Sequence, residues 1–246
     1  NKFVKCHPHS SLTDLQQAIT ISCNTYFCKT FSDLFKKYTS NQESYNMWRN
    51  HISSFGIGEW MNNDFVSGTK GMLPKHEYYN KYYGRTSWNS STIISMAIGQ
   101  GELLLTPIQM ANISAIIANR GFYFTPHIVK SVEGNEKIDT TFLEKKYTTI
   151  NPKHFDVIIE GMEKVIKKSD GTANNIKSNS ISICGKTGTA QNPHGEDHSI
   201  FIAFAPKENP EIAIAVYIEN GGWGSTWSAP IAGLMIEKYL KADINL

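Results

Sequence analysis

The chain has 246 residues, 24 basic and 22 acidic, for a formal net charge of +2, with 40% hydrophobic and 19% charged residues. That balance and a mean hydropathy of -0.33 fit a globular chain with one large core, argue against disorder, and give no sign of a polyanionic partner such as nucleic acid. No run approaches the ~20 apolar residues of a spanning helix, and residues 1–5 lack the apolar core of a signal peptide, so any address or anchor is expected outside this sequence.

In chain order, Leu12, Leu15, Ala18 and Ile19 follow a helical period, and Tyr26, Phe27, Phe31, Leu34 and Phe35 resume it after a polar interruption at Ser22-Cys23-Asn24. Ser40-Asn41-Gln42-Glu43 has the capping-box pattern and predicts a third helix ending near Gly56. Residues 57–90, rich in Gly, Asn, Ser, Tyr and Lys without a sustained period, predict a long irregular excursion of the kind that borders a binding site. Thr106-Pro107 reads as an N-cap followed by proline at the first helical position, opening a helix that stops at Asn119-Arg120-Gly121. Asn151-Pro152 repeats the device ahead of a helix carrying Phe155, Ile158, Ile159, Met162, Val165 and Ile166, which stops before Asp170-Gly171. Three β-rich runs, 181–189, 199–205 and 212–219, predict neighbouring antiparallel strands, and a closing helix over 228–240 carries Ile231, Leu234, Met235 and Tyr239 on one face. Helices, then a strand meander, then a helix predict one α+β domain over residues 1–246, an antiparallel sheet flanked by helices.

Lys186-Thr187-Gly188-Thr189 closes an apolar strand. On a strand edge facing a cleft, Lys186 offers a positive charge, Thr187 a hydroxyl for a substrate carboxylate, and Gly188 room for another backbone. Thr189 can present its backbone N–H as half of an oxyanion hole. Taken alone, the same residues also read as a glycine bulge beside a solvated lysine. Ser22-Cys23-Asn24 is a second candidate: residues two apart in an extended link can send Ser22 and Asn24 into one cleft while Cys23 points back into the fold, although a cap or turn explains such a tripeptide equally well.

In this order the two motifs resemble the second and third signatures of the penicillin-recognising enzymes, S-D-N and K-T-G. Residues 22–27, Ile98-Gly99-Gln100-Gly101-Glu102 running into Thr106-Pro107-Ile108-Gln109-Met110, residues 185–191 and residues 198–206 look like class B penicillin-binding proteins of the penicillin-binding protein 2 type, over nearly the whole chain. The resemblance implies a penicillin-binding protein/β-lactamase-like transpeptidase fold and a peptidoglycan D,D-transpeptidase that cross-links stem peptides by serine acyl transfer and is a target of β-lactams. It implies that Ser22 and Lys186 relay protons, that Asn24 holds the substrate's amide carbonyl, and that Thr187, Gly188 and Thr189 bind the substrate's end. It further implies a membrane glycosyltransferase and elongation-complex proteins as partners, and a place on the periplasmic face of the bacterial inner membrane, anchored by an N-terminal segment.

The first signature of the family, an S-x-x-K with the acylated serine and its lysine base, belongs ahead of Ser22 and is not in the residues before it. The expectation is therefore a domain whose N-terminal part, with the nucleophile, is missing, and a chain inactive on its own. Ser67-Gly68-Thr69-Lys70 matches the pattern out of order in a Gly-rich stretch and reads as a loop coincidence. Two alternatives remain: a serine β-lactamase of the same fold, and a non-catalytic module that senses β-lactams or wall peptide. The wide separation of Asn24 from Lys186 favours a transpeptidase.

The reaction requires no cofactor, but Cys6, His9 and Cys23 offer soft ligands suited to a structural zinc. A Cys6–Cys23 disulfide and plain packing stay open as alternatives. Cys28 and Cys184 read as small core residues, Trp223 and Trp227 as an aromatic rim or equally a mobile surface loop, and Asp197 and His198 as structural.

Overall fold

The structure, a computed structural model, describes residues 6–9, 14–65, 67–131 and 140–241. Its helices are α1 (Leu15–Thr20), α2 (Asn24–Phe35), α3 (Asn41–Ser53), α4 (His76–Tyr83), α5 (Pro107–Ala118), α6 (Phe155–Lys167) and α7 (Ser228–Leu240). Strands β3 (Cys184–Ala190), β4 (His198–Ala205) and β5 (Ile212–Ile218) form an antiparallel meander in that spatial order, and β1 (Phe122–Tyr123) pairs with β2 (Lys146–Tyr147) as a short ribbon. The α+β architecture matches the sequence-based expectation.

The caps explain where the helices begin. Asp14 accepts from the Gln17 amide at 2.8 Å ahead of α1, and Ser40 from the Glu43 amide at 3.1 Å ahead of α3. The Glu43 carboxylate does not close the expected box on Ser40; it reaches one residue farther back, to the Thr39 amide at 3.2 Å. Thr106 and Gln109 form the full reciprocal box at α5, with Pro107 in the first turn. Asn151 caps a short 3-10 turn over Pro152–His154 before α6 proper begins at Phe155.

Two cores result. The first gathers Ile116, Phe155, Ile159, Val165, Ile176, Ile183 and Phe201 with their neighbours, as α5, α6 and α7 pack on the sheet and α1 packs on α6. The second is aromatic, with Phe31, Phe35, Tyr45, Tyr79 and Trp88 at its centre.

One expectation needs correction. The 57–90 excursion contains α4, whose single buried residue, Tyr79, anchors it in the aromatic core; an eight-residue helix with one buried position leaves no periodic signal. In α7 the large apolar residues face outward, with Leu234 50% and Tyr239 60% exposed, while Ser228, Ala229, Ala232, Gly233 and Ile236 are buried. Small residues let the helix axis approach the sheet closely, and the large ones are left on the far side.

Candidate active site

Lys186 sits on β3, at the edge of the meander. Its Nζ donates to Ser22 Oγ at 2.7 Å and to the Thr187 carbonyl at 2.9 Å. The two motifs, far apart in sequence, thus meet in a cleft of about 620 Å³ that Ser22, Asn24, Lys186, Thr187, Gly188 and Thr189 all line. Desolvation of the ammonium pushes the Lys186 pKa down to about 8, even though part of its side chain remains exposed.

The backbone around Ser22 is not the extended link expected. The Ser22 amide donates to the Ile19 carbonyl at 3.2 Å, closing the end of α1, and Ser22 takes a left-handed φ of 55°. Cys23 then caps α2, its Sγ accepting from the Tyr26 amide at 3.4 Å, and Asn24 is the first residue of that helix. The outcome anticipated for the tripeptide holds for a different reason: a turn aims Ser22 and Asn24 at the cleft and leaves Cys23 only 1% exposed.

Strand geometry orients the rest. Gln100 Nε2 donates to the Thr189 carbonyl at 3.2 Å from across the cleft, and the Thr187 carbonyl accepts from Lys186, so both carbonyls face away from β4. In an antiparallel strand the N–H and C=O of one residue point the same way, so the Thr189 N–H also faces the cleft. Gly188 has Gly224 alongside it: a Cβ on Gly224 would lie 2.5 Å from the Gly188 carbonyl oxygen. Thr187 Oγ1 is 2.7 Å from Thr172 Oγ1.

Several lining residues were given no role in the site by the sequence reading. His7, Gln100 and Thr172 belong to no chemical signature; only the glycines flanking Gln100, with φ of 74° and 76°, mark it as the tip of a tight arch. Trp223 lines the cleft as anticipated and Trp227 lies outside its lining. Asp197 accepts from the Asn192 amide at 3.1 Å and His198 Nδ1 from the Asn220 amide at 3.1 Å, both in turn-stabilising roles. Ser67 lines a separate pocket with Trp60 and Thr106, away from Lys186.

Behind Cys23, the Sγ of Cys6 lies 3.1 Å from His9 Nε2 and 3.8 Å from Cys23 Sγ, and the three donor atoms fall within 4.8 Å of one another. All four cysteines are free thiols, so the Cys6–Cys23 disulfide is not formed; Cys184 is fully buried and Cys28 partly so. Burial raises the Cys6 pKa, but hydrogen bonds from the Thr25 amide, His9 and the Asn24 amide outweigh it, and the thiol ends below its ordinary value. Burial pushes Cys23 up.

A family model described as penicillin binding protein transpeptidase domain matches residues 4–237. The chain is 32% identical to peptidoglycan D,D-transpeptidase MrdA of Haemophilus influenzae over 250 residues, 93% of this chain and 36% of that protein. Against MrdA of Escherichia coli K12 it is 29% identical over 221 residues, 81% of this chain and 34% of that protein. It therefore spans about a third of the length of the curated relatives it matches. The structure of Pseudomonas aeruginosa PBP2 in complex with WCK 5153 superimposes with a TM-score of 0.79 at 30% identity, covering 93% of this chain and 47% of that one. Helicobacter pylori PBP2, solved in complex with MreC, gives 0.74 at 26% identity, covering 93% and 40%. With both motifs in one cleft and a family match across nearly its whole length, the chain belongs to the penicillin-binding protein transpeptidase family, of the penicillin-binding protein 2 type.

Proposed function

We propose that the chain is the motif-bearing part of a peptidoglycan D,D-transpeptidase. The observation that carries the reading is the 2.7 Å bond between Lys186 and Ser22 on the cleft wall. A lysine with a pKa near 8 beside a hydroxyl can pass a proton at neutral pH, which an ordinary surface lysine does poorly. Among the described residues no Ser-x-x-Lys lines this cleft, and serine acyl transfer calls for one to supply the attacking serine.

In the proposed reaction that serine oxygen bonds to the carbonyl carbon of the penultimate D-Ala. Its proton passes by way of Ser22 to the nitrogen of the departing terminal D-Ala, whose C–N bond breaks. The amine of a second stem peptide then attacks the resulting ester, and its proton returns to the serine oxygen. The Thr189 N–H stabilises the oxyanion, Asn24 holds the substrate amide, and Lys186 with Thr187 receives the terminal carboxylate. Fluorescent penicillin tests the assignment: it should label the full-length protein covalently and persistently, but not the 246-residue chain alone. Labelling of the short chain that Ser67→Ala abolishes would move the nucleophile to Ser67, and rapid turnover of the label would make the protein a β-lactamase.

Cys6, His9 and Cys23 suit a structural zinc. Two sulfurs about 2.3 Å from a tetrahedral zinc are about 3.8 Å apart, close to the separation here. Three protein donors leave one of zinc's four positions to another ligand. Bound zinc should amount to one equivalent and a chelator should lower the melting temperature; a metal-free protein with an unchanged melt sinks the assignment. The MreC-bound relative supports elongation-complex proteins as partners; a membrane glycosyltransferase partner and a place at the periplasmic face of the inner membrane rest on the family resemblance. No described helix is long and apolar enough to cross a membrane.

A further inference from the structure

We infer that Thr172 is a positioning residue of the cleft: its hydroxyl donates to Thr187 Oγ1 and turns the Thr187 proton toward the terminal carboxylate of the substrate. The inference rests on the transpeptidase reading above.

The chain places Thr172 by close packing. Gly171 lies so near the last turn of α6 that an added Cβ would sit 2.3 Å from the Val165 carbonyl oxygen and 2.6 Å from that of Lys164. The Ala173 amide donates to the Val165 carbonyl at 3.0 Å, and the Thr172 amide to the Thr20 carbonyl at 3.3 Å. Thr172 is therefore tied on one side to α6 and on the other to the end of α1, two residues before Ser22. Its Oγ1 lies 2.7 Å from Thr187 Oγ1, and both residues line the cleft.

A hydroxyl has one proton and two lone pairs, so at this distance one threonine must use its proton on the other. Were Thr187 the donor, it would have no proton left for an anion. With Thr172 as donor, Thr187 accepts through a lone pair and its own proton is free to point into the cleft. A carboxylate selects the second arrangement, because a hydrogen bond to an anion is stronger than one between neutral hydroxyls and the two bonds polarise each other. A terminal carboxamide gains much less. Thr172 thus acts on specificity without touching the substrate.

With a second stem peptide supplied as acceptor amine, the test compares release of terminal D-Ala by the full-length protein from a peptide ending in D-Ala-D-Ala with release of D-Ala amide from the same peptide ending in a carboxamide. Thr172→Val should lower the preference for the carboxylate about tenfold, chiefly through KM, and Thr172→Ser should restore it. An unchanged preference in Thr172→Val overturns the inference, as does an equal loss on both peptides, which marks a structural role. Should Thr172→Val not fold, Thr172→Ala is held to the same criteria. Native protein that reacts without preferring the carboxylate overturns the carboxylate assignment and this inference together. Native protein that releases nothing from either peptide overturns the transpeptidase reading, and the inference falls with it.

Discussion

The two walls of the cleft are made differently. The β3 wall belongs to the first core, where Val165, Ile176 and Phe201 are fully buried and the backbone ladder fixes position. The opposite wall belongs to the aromatic core, where buried rings keep polar atoms bonded: Tyr45 Oη to the Pro74 carbonyl at 2.7 Å, Trp88 Nε1 to Asn80 Oδ1 at 2.8 Å, and Tyr79 Oη to Met96 Sδ at 2.9 Å. The first wall carries Lys186, Thr187 and Thr189; the second contributes Ala97, Ile98 and Gln100. Charged and hydrogen-bonding chemistry sits where a strand ladder holds it, and the aromatic wall gives the cleft its shape.

That contrast can be broken most forcefully at Lys186. Lys186→Ala in the full-length protein should slow acylation by penicillin ~10²–10⁴-fold while leaving the melting temperature unchanged or raised, because a desolvated ammonium is lost. A fall below about tenfold would remove Lys186 from the chemistry. On the other wall the ranking reverses. Trp88→Ala should cost about 3–5 kcal/mol in a denaturation experiment, since a large ring that is 1% exposed is deleted and Asn80 loses its donor. A cost under about 1 kcal/mol would mean that the aromatic core is not a packed unit.

The pH response sharpens the difference further. Lys186 is charged below about 8 and neutral above it, so affinity for a carboxylate-ended ligand should fall as pH rises through about 8, and a carboxamide ligand should show no such limb. Stability runs the other way: the folded pKa lies below the ordinary 10.5, so the cost of holding the charged amine is full below pH 8 and disappears as pH climbs from about 8 to 10.5. Calorimetric titration of both ligands across this range checks the first sign, and identical profiles would refute it. The smallest effect is expected at Tyr45→Phe, about 1 kcal/mol, because Arg49 Nε also donates to the Pro74 carbonyl at 3.2 Å and keeps it bonded.

The same division decides what could be read from sequence. Strands with β-branched runs, a proline-opened helix and a K-T-G, which the structure places in mid-strand rather than at the strand's end, are local signals, and they located most of the β3 side. The aromatic lobe is assembled from tyrosines and tryptophans without a period, and its α4 stayed hidden for that reason. The convergence of Ser22 on Lys186 was anticipated through resemblance, yet the left-handed turn that achieves it was not, because a positive φ at serine has no sequence mark. Thr172 was invisible for a related cause: Gly171 reads as a helix stop, and only the packed turn reveals that it delivers a hydroxyl. Periodicity placed the large apolar residues of α7 on one face without saying whether small or large residues press against the sheet.

β5 has a further consequence. It pairs with β4 on one side and with no further strand among the described residues on the other. Its sequence, Ile212-Ala213-Ile214-Ala215-Val216-Tyr217-Ile218, holds no charge and no proline, the residues that ordinarily keep an open strand from recruiting a copy of itself. The 246-residue chain on its own is expected to polymerise edge to edge. Light scattering should grow with concentration, and Tyr217→Lys, at the one exposed position of the strand, should suppress that growth while leaving the monomer's fold intact.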